Sequence, residues 1–404
     1  MMNQTQIDPI IACVHPYHIT QDQLYIYHII EFWLQGLVGI VMGFVGIIFN
    51  VTTIIIVLRS ELAAMFFNWL LICLVFFDSV FLLTAIMEGF RNHFVENSSM
   101  LVYQFVAFLY PLRSVAMCCS IYVTMVLALE RYYALANPAE CAQQNVLGKQ
   151  KKKLKIYFMI HWKRLMKCVG SIIVLSSVLY IPKFMELRMV KENICPANST
   201  LNSSCTHKYT VRHSDLRENE TYIVWYLGIQ ILLTVIVPLI SLVYLNISVF
   251  RRLRKHTNMK NVLKTEEQSP IQWPSNNVQQ QDDIREAAIM SLGKTTIERR
   301  ELNISQQTIM LFAIVVLFLI SHTFRVVLNI EELATLEKFK MEKKLGCTWL
   351  QYWTLVLVPI SHLLLQLNCS VNLFIYCMFN TMFRKAVQSE LIHVLAFIRH
   401  IFQR

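Results

Sequence analysis

The apolar residues of this chain fall in long blocks separated by polar stretches, not in the narrow stripes of a helix that covers one side of a soluble core. A helix needs about 20 mostly apolar residues to cross the hydrocarbon layer of a bilayer. Seven segments reach that length: Leu34–Leu58, Phe66–Phe90, Met100–Tyr133, Cys168–Leu187, Tyr222–Phe250, Thr308–Ile330 and Trp349–Cys377. The pattern predicts an all-α membrane protein, a seven-transmembrane helix bundle with a short amphipathic helix after the last span. In that last stretch Phe383, Leu391, Leu395 and Ile398 oppose Arg384, Lys385 and Arg399, a pattern that lies on the inner leaflet. The chain then divides into an outer tail, 1–33, a helical domain, 34–378, and a cytoplasmic tail, 379–404. Within the helical domain, residues 251–307 read as a largely disordered inner loop, its polar middle flanked by basic helical extensions of spans five and six.

Composition agrees with a membrane protein. Of the 404 residues 55% are hydrophobic and only 16% charged, against about 45–50% and 25% in soluble domains. The placement of charge sets the orientation. Residues 1–58 hold no Lys or Arg, whereas Lys151, Lys152, Lys153, Lys155 and Arg164 follow span three and Arg251, Arg252 and Arg254 follow span five. Basic loops stay in the cytoplasm, so the N-terminus is expected outside. The sequons at Asn3, Asn97, Asn198, Asn202 and Asn219 all fall on the outer side and are expected to be glycosylated. The net charge of +11 then describes an inner face that meets anionic membrane lipid and a cytosolic partner, and argues against nucleic acid. Cys13, Cys195, Cys205 and Cys347 lie outside, where disulfides form; Cys195 and Cys205 share one loop, but four cysteines allow three connectivities.

Polar residues inside the spans carry the functional signal, because a charge at the bilayer centre costs about 2.5–3.5 kcal/mol. Asp78 is at the middle of span two, Ser120 in span three, and Asn368 and Asn372 share a face of span seven. Their oxygens suit a small hard cation such as Na⁺; the alternative is a hydrogen-bonded packing node. Span three ends in Glu130-Arg131-Tyr132, an acid–base pair that can lock a bundle until a partner releases it. Arg113 lies on the same face of that helix, 131 − 113 = 18 residues or five turns away, near the outer end. Glu88, His322, Arg325 and Glu331 also fall toward the outside. Together they predict an outward-facing cavity of mixed charge for a polar, peptidic ligand. The alternative reading is an Arg113–Glu88 ion pair that only holds helices together. The sequence shows no HExxH, Walker loop or GxSxG, so neither an enzyme nor a cofactor is expected.

In order and depth these marks resemble a rhodopsin-like (class A) G protein-coupled receptor: Asn50, Leu74-x-x-x-Asp78, Glu130-Arg131-Tyr132, Pro238, and Asn372-Leu-Phe-Ile-Tyr376 followed by Phe383. Tyr180-Ile-Pro-Lys-Phe184 and His322-Thr-Phe-Arg-Val-Val-Leu-Asn329 are similar to one branch, the invertebrate FMRFamide-type neuropeptide receptors. The resemblance implies a peptide bound from outside and a heterotrimeric G protein bound inside, at the plasma membrane. It assigns coupling and activation to Glu130, Arg131, Tyr132, Asn372 and Tyr376, and an allosteric Na⁺ pocket to Asp78, Ser120, Asn368 and Asn372. The alternatives are a receptor-like binding protein that does not signal, and a seven-helix transporter or channel. The chain departs from the family pattern at three places. Met100–Arg113 has no cysteine to tether the second outer loop; either a Cys195–Cys205 pair replaces that tether or the loop is looser. Span six reads Phe318-x-x-Ser321-His322-x-Phe324, without the usual Trp and Pro, and Leu373 stands where span seven has Pro. Both spans thus lose a known cause of kinks.

Overall fold

The structure, a computed structural model, describes residues 20–59, 66–94, 100–136, 151–194, 206–266, 306, 308–335, 337–338, 351–381, 383–390 and 392. Seven helices within it are long and apolar enough to cross a membrane. They are α1 (Gln21–Arg59), α2 (Phe66–Phe94), α3 (Met100–Ala136), α4 (Lys151–Tyr180), α5 (Glu220–Arg252), α6 (Thr308–Thr335) and α7 (Tyr352–Ser370). A short helix, α8 (Asn372–Phe379), continues α7. Five of the seven contain the whole expected span, whereas α4 ends at Tyr180, short of the expected Leu187, and the span expected over Trp349–Cys377 is divided between α7 and α8. The largest difference is at the start: α1 begins thirteen residues before Leu34, where the Thr20 side chain and Gln23 form a reciprocal cap. Part of the stretch assigned to the outer tail is therefore helical. Past the end of span five the helix continues to Glu266, where a basic helical extension was expected, and most of the rest of 251–307 lies outside the described residues.

The outward faces carry exposed Ile48, Val174, Trp225, Ile240 and Phe312, which a soluble protein would hide but hydrocarbon solvates. One packed core within the bundle includes Phe67, Leu74, Leu127, Leu242, Met310 and Tyr376. Packing is closest where α1 meets α2 and α7. A Cβ on Gly43 would lie 2.6 Å from Ile86, and one on Gly46 would collide with the Ser370 hydroxyl and stand 2.7 Å from Leu82. Small residues let helices approach in a membrane, where dispersion contact replaces the hydrophobic drive.

The helices leave regular α geometry for local reasons. A π-turn, Leu232–Ile236, precedes Pro238 in α5, where the missing N–H leaves the ladder a residue out of step. Span seven is interrupted although it lacks the usual Pro at 373. Val371 takes φ −91° and ψ 4°, which ends α7 and starts α8 at Asn372. Span seven thus lacks the Pro that commonly kinks it and is interrupted at Val371 all the same. After α4, the 3-10 turn Ile181–Phe184 leads into a hairpin of β1 (Leu187–Ile194) and β2 (Thr206–His213). The strands are antiparallel, from Leu187 opposite His213 to Ile194 opposite Thr206.

Candidate functional site

At the end of the bundle that carries the β1–β2 hairpin, α3 presents Arg113 between α2 and α7. Its guanidinium is ion-paired with Glu88, and Nη2 lies 2.7 Å from His362 Nδ1. The Phe81 ring lies beneath, 5.0 Å from the guanidinium carbon. The Arg113–Glu88 contact expected as the alternative reading is thus present, yet a third group, His362, shares it. His362 was missed in the sequence because nothing in the run Ser361-His362-Leu363 shows which way the ring turns. On α6, His322 is buried and tilts against Phe318 at 4.1 Å between ring centres. Arg325, one turn outward, is half-buried, and its charge acts on His322, on Tyr180 of α4 and on His362 of α7. Ionisable groups of three helices, α2, α3 and α7, thus meet directly here.

A second network sits nearer the surface. Buried Glu186 pairs with buried Lys183 and with Arg217, each at 3.8 Å, and accepts the Tyr222 hydroxyl at 3.1 Å. Lys183 also donates to the Tyr110 hydroxyl at 3.2 Å, and Arg217 reaches across to Glu332 on α6. Burial works against the Arg217 charge, but Glu332 and Glu186 outweigh it and hold the guanidinium above its ordinary range. The network ties the turn after α4 to α3, α5 and α6. At the mouth of α6 it is Glu332 that gains an ion pair. Glu331, the expected ligand contact, is half-buried and makes no ion pair among the described residues.

In mid-bundle the expected cluster forms around buried Asp78. Ser120 donates to Oδ1 and the Asn372 amide donates to Oδ2, each at 2.6 Å. The thiol of Cys369 also hydrogen-bonds Asp78, while Asn50 donates to the Cys369 carbonyl at 3.2 Å. Asn368 is half-buried and makes no hydrogen bond to Asp78 among the described residues. With both carboxylate oxygens engaged, this conformation is a closed polar node. One carboxylate, a hydroxyl and a carboxamide remain the right donor chemistry for Na⁺ once the amide turns its oxygen inward.

At the end of the bundle opposite the hairpin Arg131 is buried, with its guanidinium 3.7 Å from the centre of the Phe67 ring. Glu130 pairs with Arg164 of α4 at 3.9 Å, and Arg252 of α5 donates to the Tyr132 hydroxyl at 2.8 Å. Gln306, just ahead of α6, accepts from both the Thr381 amide, at 3.2 Å, and its hydroxyl, at 2.8 Å. Tyr376 is fully buried, packs edge-on to Phe383 at 5.5 Å, and its hydroxyl has no partner among the described residues. The helical segment 383–390 is held to α1 by Arg59–Glu390 at 2.9 Å.

A family model described as serpentine type 7TM GPCR chemoreceptor Srw matches residues 37–277. The chain belongs to this family. It is a multi-pass membrane receptor and not an enzyme. The FMRFamide receptor of Drosophila melanogaster is 26% identical over 367 residues, which cover 88% of this chain and 53% of that protein. The chain thus spans about half the length of the curated relative it matches. In this Srw-family receptor α3 carries Arg113 toward the hairpin end of the bundle, Ser120 at mid-bundle and Arg131 toward the opposite end. Among the expected glycosylation sites only Asn219 is described. It is exposed, and its side-chain oxygen caps α5 by accepting from Tyr222 N at 3.2 Å, which leaves the amide nitrogen facing solvent. Asn3, Asn97, Asn198 and Asn202, with Cys195 and Cys205, lie outside the described residues.

Proposed function

We propose that this chain is a plasma-membrane receptor with its N-terminus outside, which binds a peptide among the outer ends of its helices and activates a heterotrimeric G protein at its inner face. The observation that carries this reading is the course of α3. One helix joins the Glu88–Arg113–His362 cluster, through Ser120 and Asp78, to Arg131 on Phe67. The Drosophila relative, by its name a receptor for FMRFamide, supports a peptide ligand. A ligand that engages Arg113, His322 or Arg325 changes how α3, α6 and α7 meet. Asn372 then shifts against Asp78, and the Gln306–Thr381 contact opens as α6 swings away. Arg131 leaves Phe67 and becomes the group a G protein engages. The node at Asp78, with Ser120 and Asn372 and with Asn368 beside it, is the seat of an allosteric Na⁺ that favours the closed state. A receptor equally heat-stable in sodium and choline chloride would remove that ion from the account.

The test is a panel of short peptides, with amidated and with free C-termini, applied to cells that display the full chain. A second-messenger change to at least one peptide is expected. A second reading, a receptor-like binding protein without G-protein signalling, draws on the uninterrupted α6 and on His322 packed against Phe318. Peptide binding with silence across all G-protein classes would favour it.

A further inference from the structure

The base of the β1–β2 hairpin is fastened to itself. The Ser214 amide donates to the Glu186 carbonyl at 2.9 Å, and the Ser214 hydroxyl donates to the Met185 carbonyl. Arg188 pairs with Asp215 at 3.0 Å. The chain that enters β1 is thereby joined to the short helical turn Asp215–Glu218 that follows β2. Glu186 anchors this base in the bundle. Its side chain is 4% exposed, accepts the Tyr222 hydroxyl of α5 at 3.1 Å, and stands 3.8 Å from both Lys183 Nζ and Arg217 Nη1. Lys183 carries the anchor on to α3, where it meets the Tyr110 hydroxyl at 3.2 Å and lies 5.0 Å from the centre of that ring. Parting these groups would strand buried charge, so the anchor is hard to open.

Arg217 has a second end. Its Nη2 is ion-paired with Glu332, within the last described turn of α6, and the Glu332 side chain is 42% exposed. Among the described residues this is the one ion pair between the hairpin base and α6. A single guanidinium therefore bridges a buried carboxylate and a solvated one. Water and salt screen the solvated side, which opens at little cost, while the buried side stays made. Leu333 of α6 packs against Ile223 and Leu227 of α5, so α6 does not come away when the ion pair parts. It gains freedom at that end only.

We propose that Arg217–Glu332 is a latch that holds the hairpin end of α6 to the hairpin base. Its opening frees that end of α6 while Glu186 keeps the hairpin in place. In the receptor reading the same end of α6 borders the ligand cavity, so the latch sets how readily the cavity widens. That role rests on the receptor reading, but the test of the latch needs neither ligand nor signalling.

The experiment is hydrogen–deuterium exchange of the full-length receptor, purified in detergent, at low and at high potassium chloride. Glu332→Gln removes the charge and keeps the shape. In it the amides of 328–335 are expected to exchange severalfold faster than in the wild type, while those of β1 and of 308–318, at the other end of α6, are unchanged. High salt should speed 328–335 in the wild type and add little in Glu332→Gln, since the charge it screens is already gone. Arg217→Lys keeps part of the protection, as ammonium supplies charge without the fork. Glu186→Gln breaks the anchor instead, and is expected to loosen β1 and lower the apparent Tm. Unchanged exchange at 328–335 in Glu332→Gln would overturn the latch. So would a rise that extends through β1 and the whole of α6, which would make the ion pair a general support, or a salt effect of equal size with and without Glu332. A silent peptide panel with the local change intact would sink the signalling proposal alone.

Discussion

Arg113 of α3 is ion-paired with Glu88 of α2, and the pair joins two helices at the outer end of the bundle. Removing one partner of a fully buried pair costs about 3–5 kcal/mol, but the Glu88 side chain is 36% exposed and solvent screens it. Arg113→Gln is therefore expected to cost about 1–2 kcal/mol, seen as a lowered melting temperature of the purified receptor. Glu88→Gln should cost as much, because it leaves Arg113 and Arg325 facing His362 together. The exchange Glu88→Arg with Arg113→Glu should recover part of the loss. No recovery would mean that the contact with His362, not the ion pair, holds the site.

Gly46 and Gly228 make a matched test of packing. A methyl group on Gly46 meets Ser370 and Leu82, whereas one on Gly228 meets nothing within 4 Å. Gly46→Ala is expected to destabilise the bundle by about 1–3 kcal/mol and to lower surface expression. Gly228→Ala should be neutral or slightly stabilising, as helix propensity improves. Flow cytometry of tagged receptors would show the contrast, and equal expression would contradict the close contact of α1 with α7.

Gln306 holds the start of α6 to Thr381 through two hydrogen bonds to one oxygen. If α6 must swing away for coupling, this contact favours the silent state. Gln306→Ala and Thr381→Val should each raise ligand-independent signalling severalfold, and the double variant little more than either, since both remove one interaction. Unchanged basal signalling in all three would separate this contact from activation.

Register links the outer hairpin to its cysteines. Ile194 stands opposite Thr206, so the positions next in sequence are Cys195 and Cys205. A disulfide between them would close the hairpin and stand in for the tether that span three lacks. Peptide mapping under non-reducing conditions should recover the two cysteines in one linked fragment. A link from either to Cys13 or Cys347 would refute the pairing.

Depth in the membrane was legible in the sequence, and rotation about the helix axis was not. The seven spans followed from apolar length, and Asp78, Ser120 and Asn372 came together because position along a helix fixes depth. Arg113 and Glu88 met for the same reason. His362 was missed, and Asn368 stands aside from Asp78 where Cys369 bonds to it, because a small rotation decides which neighbour faces inward. The Lys183–Glu186–Arg217–Glu332 network joins a turn, a loop and two helices, and no periodicity foretells such a meeting. The interruption at Val371 was hidden for another reason. It occurs without Pro, where Asn372 bonds to Asp78 and so belongs to tertiary structure.

The account stands most directly on Arg131, held on Phe67 at the inner end of the helix that begins its outer cluster with Arg113. The measurement is nucleotide exchange on heterotrimeric G proteins in membranes that carry wild-type or Arg131→Ala receptor, matched for surface amount and stimulated with an activating peptide. The account predicts exchange with the wild type and its loss, by at least about tenfold or about 1.4 kcal/mol, with Arg131→Ala while peptide binding persists. Undiminished exchange with Arg131→Ala would contradict it.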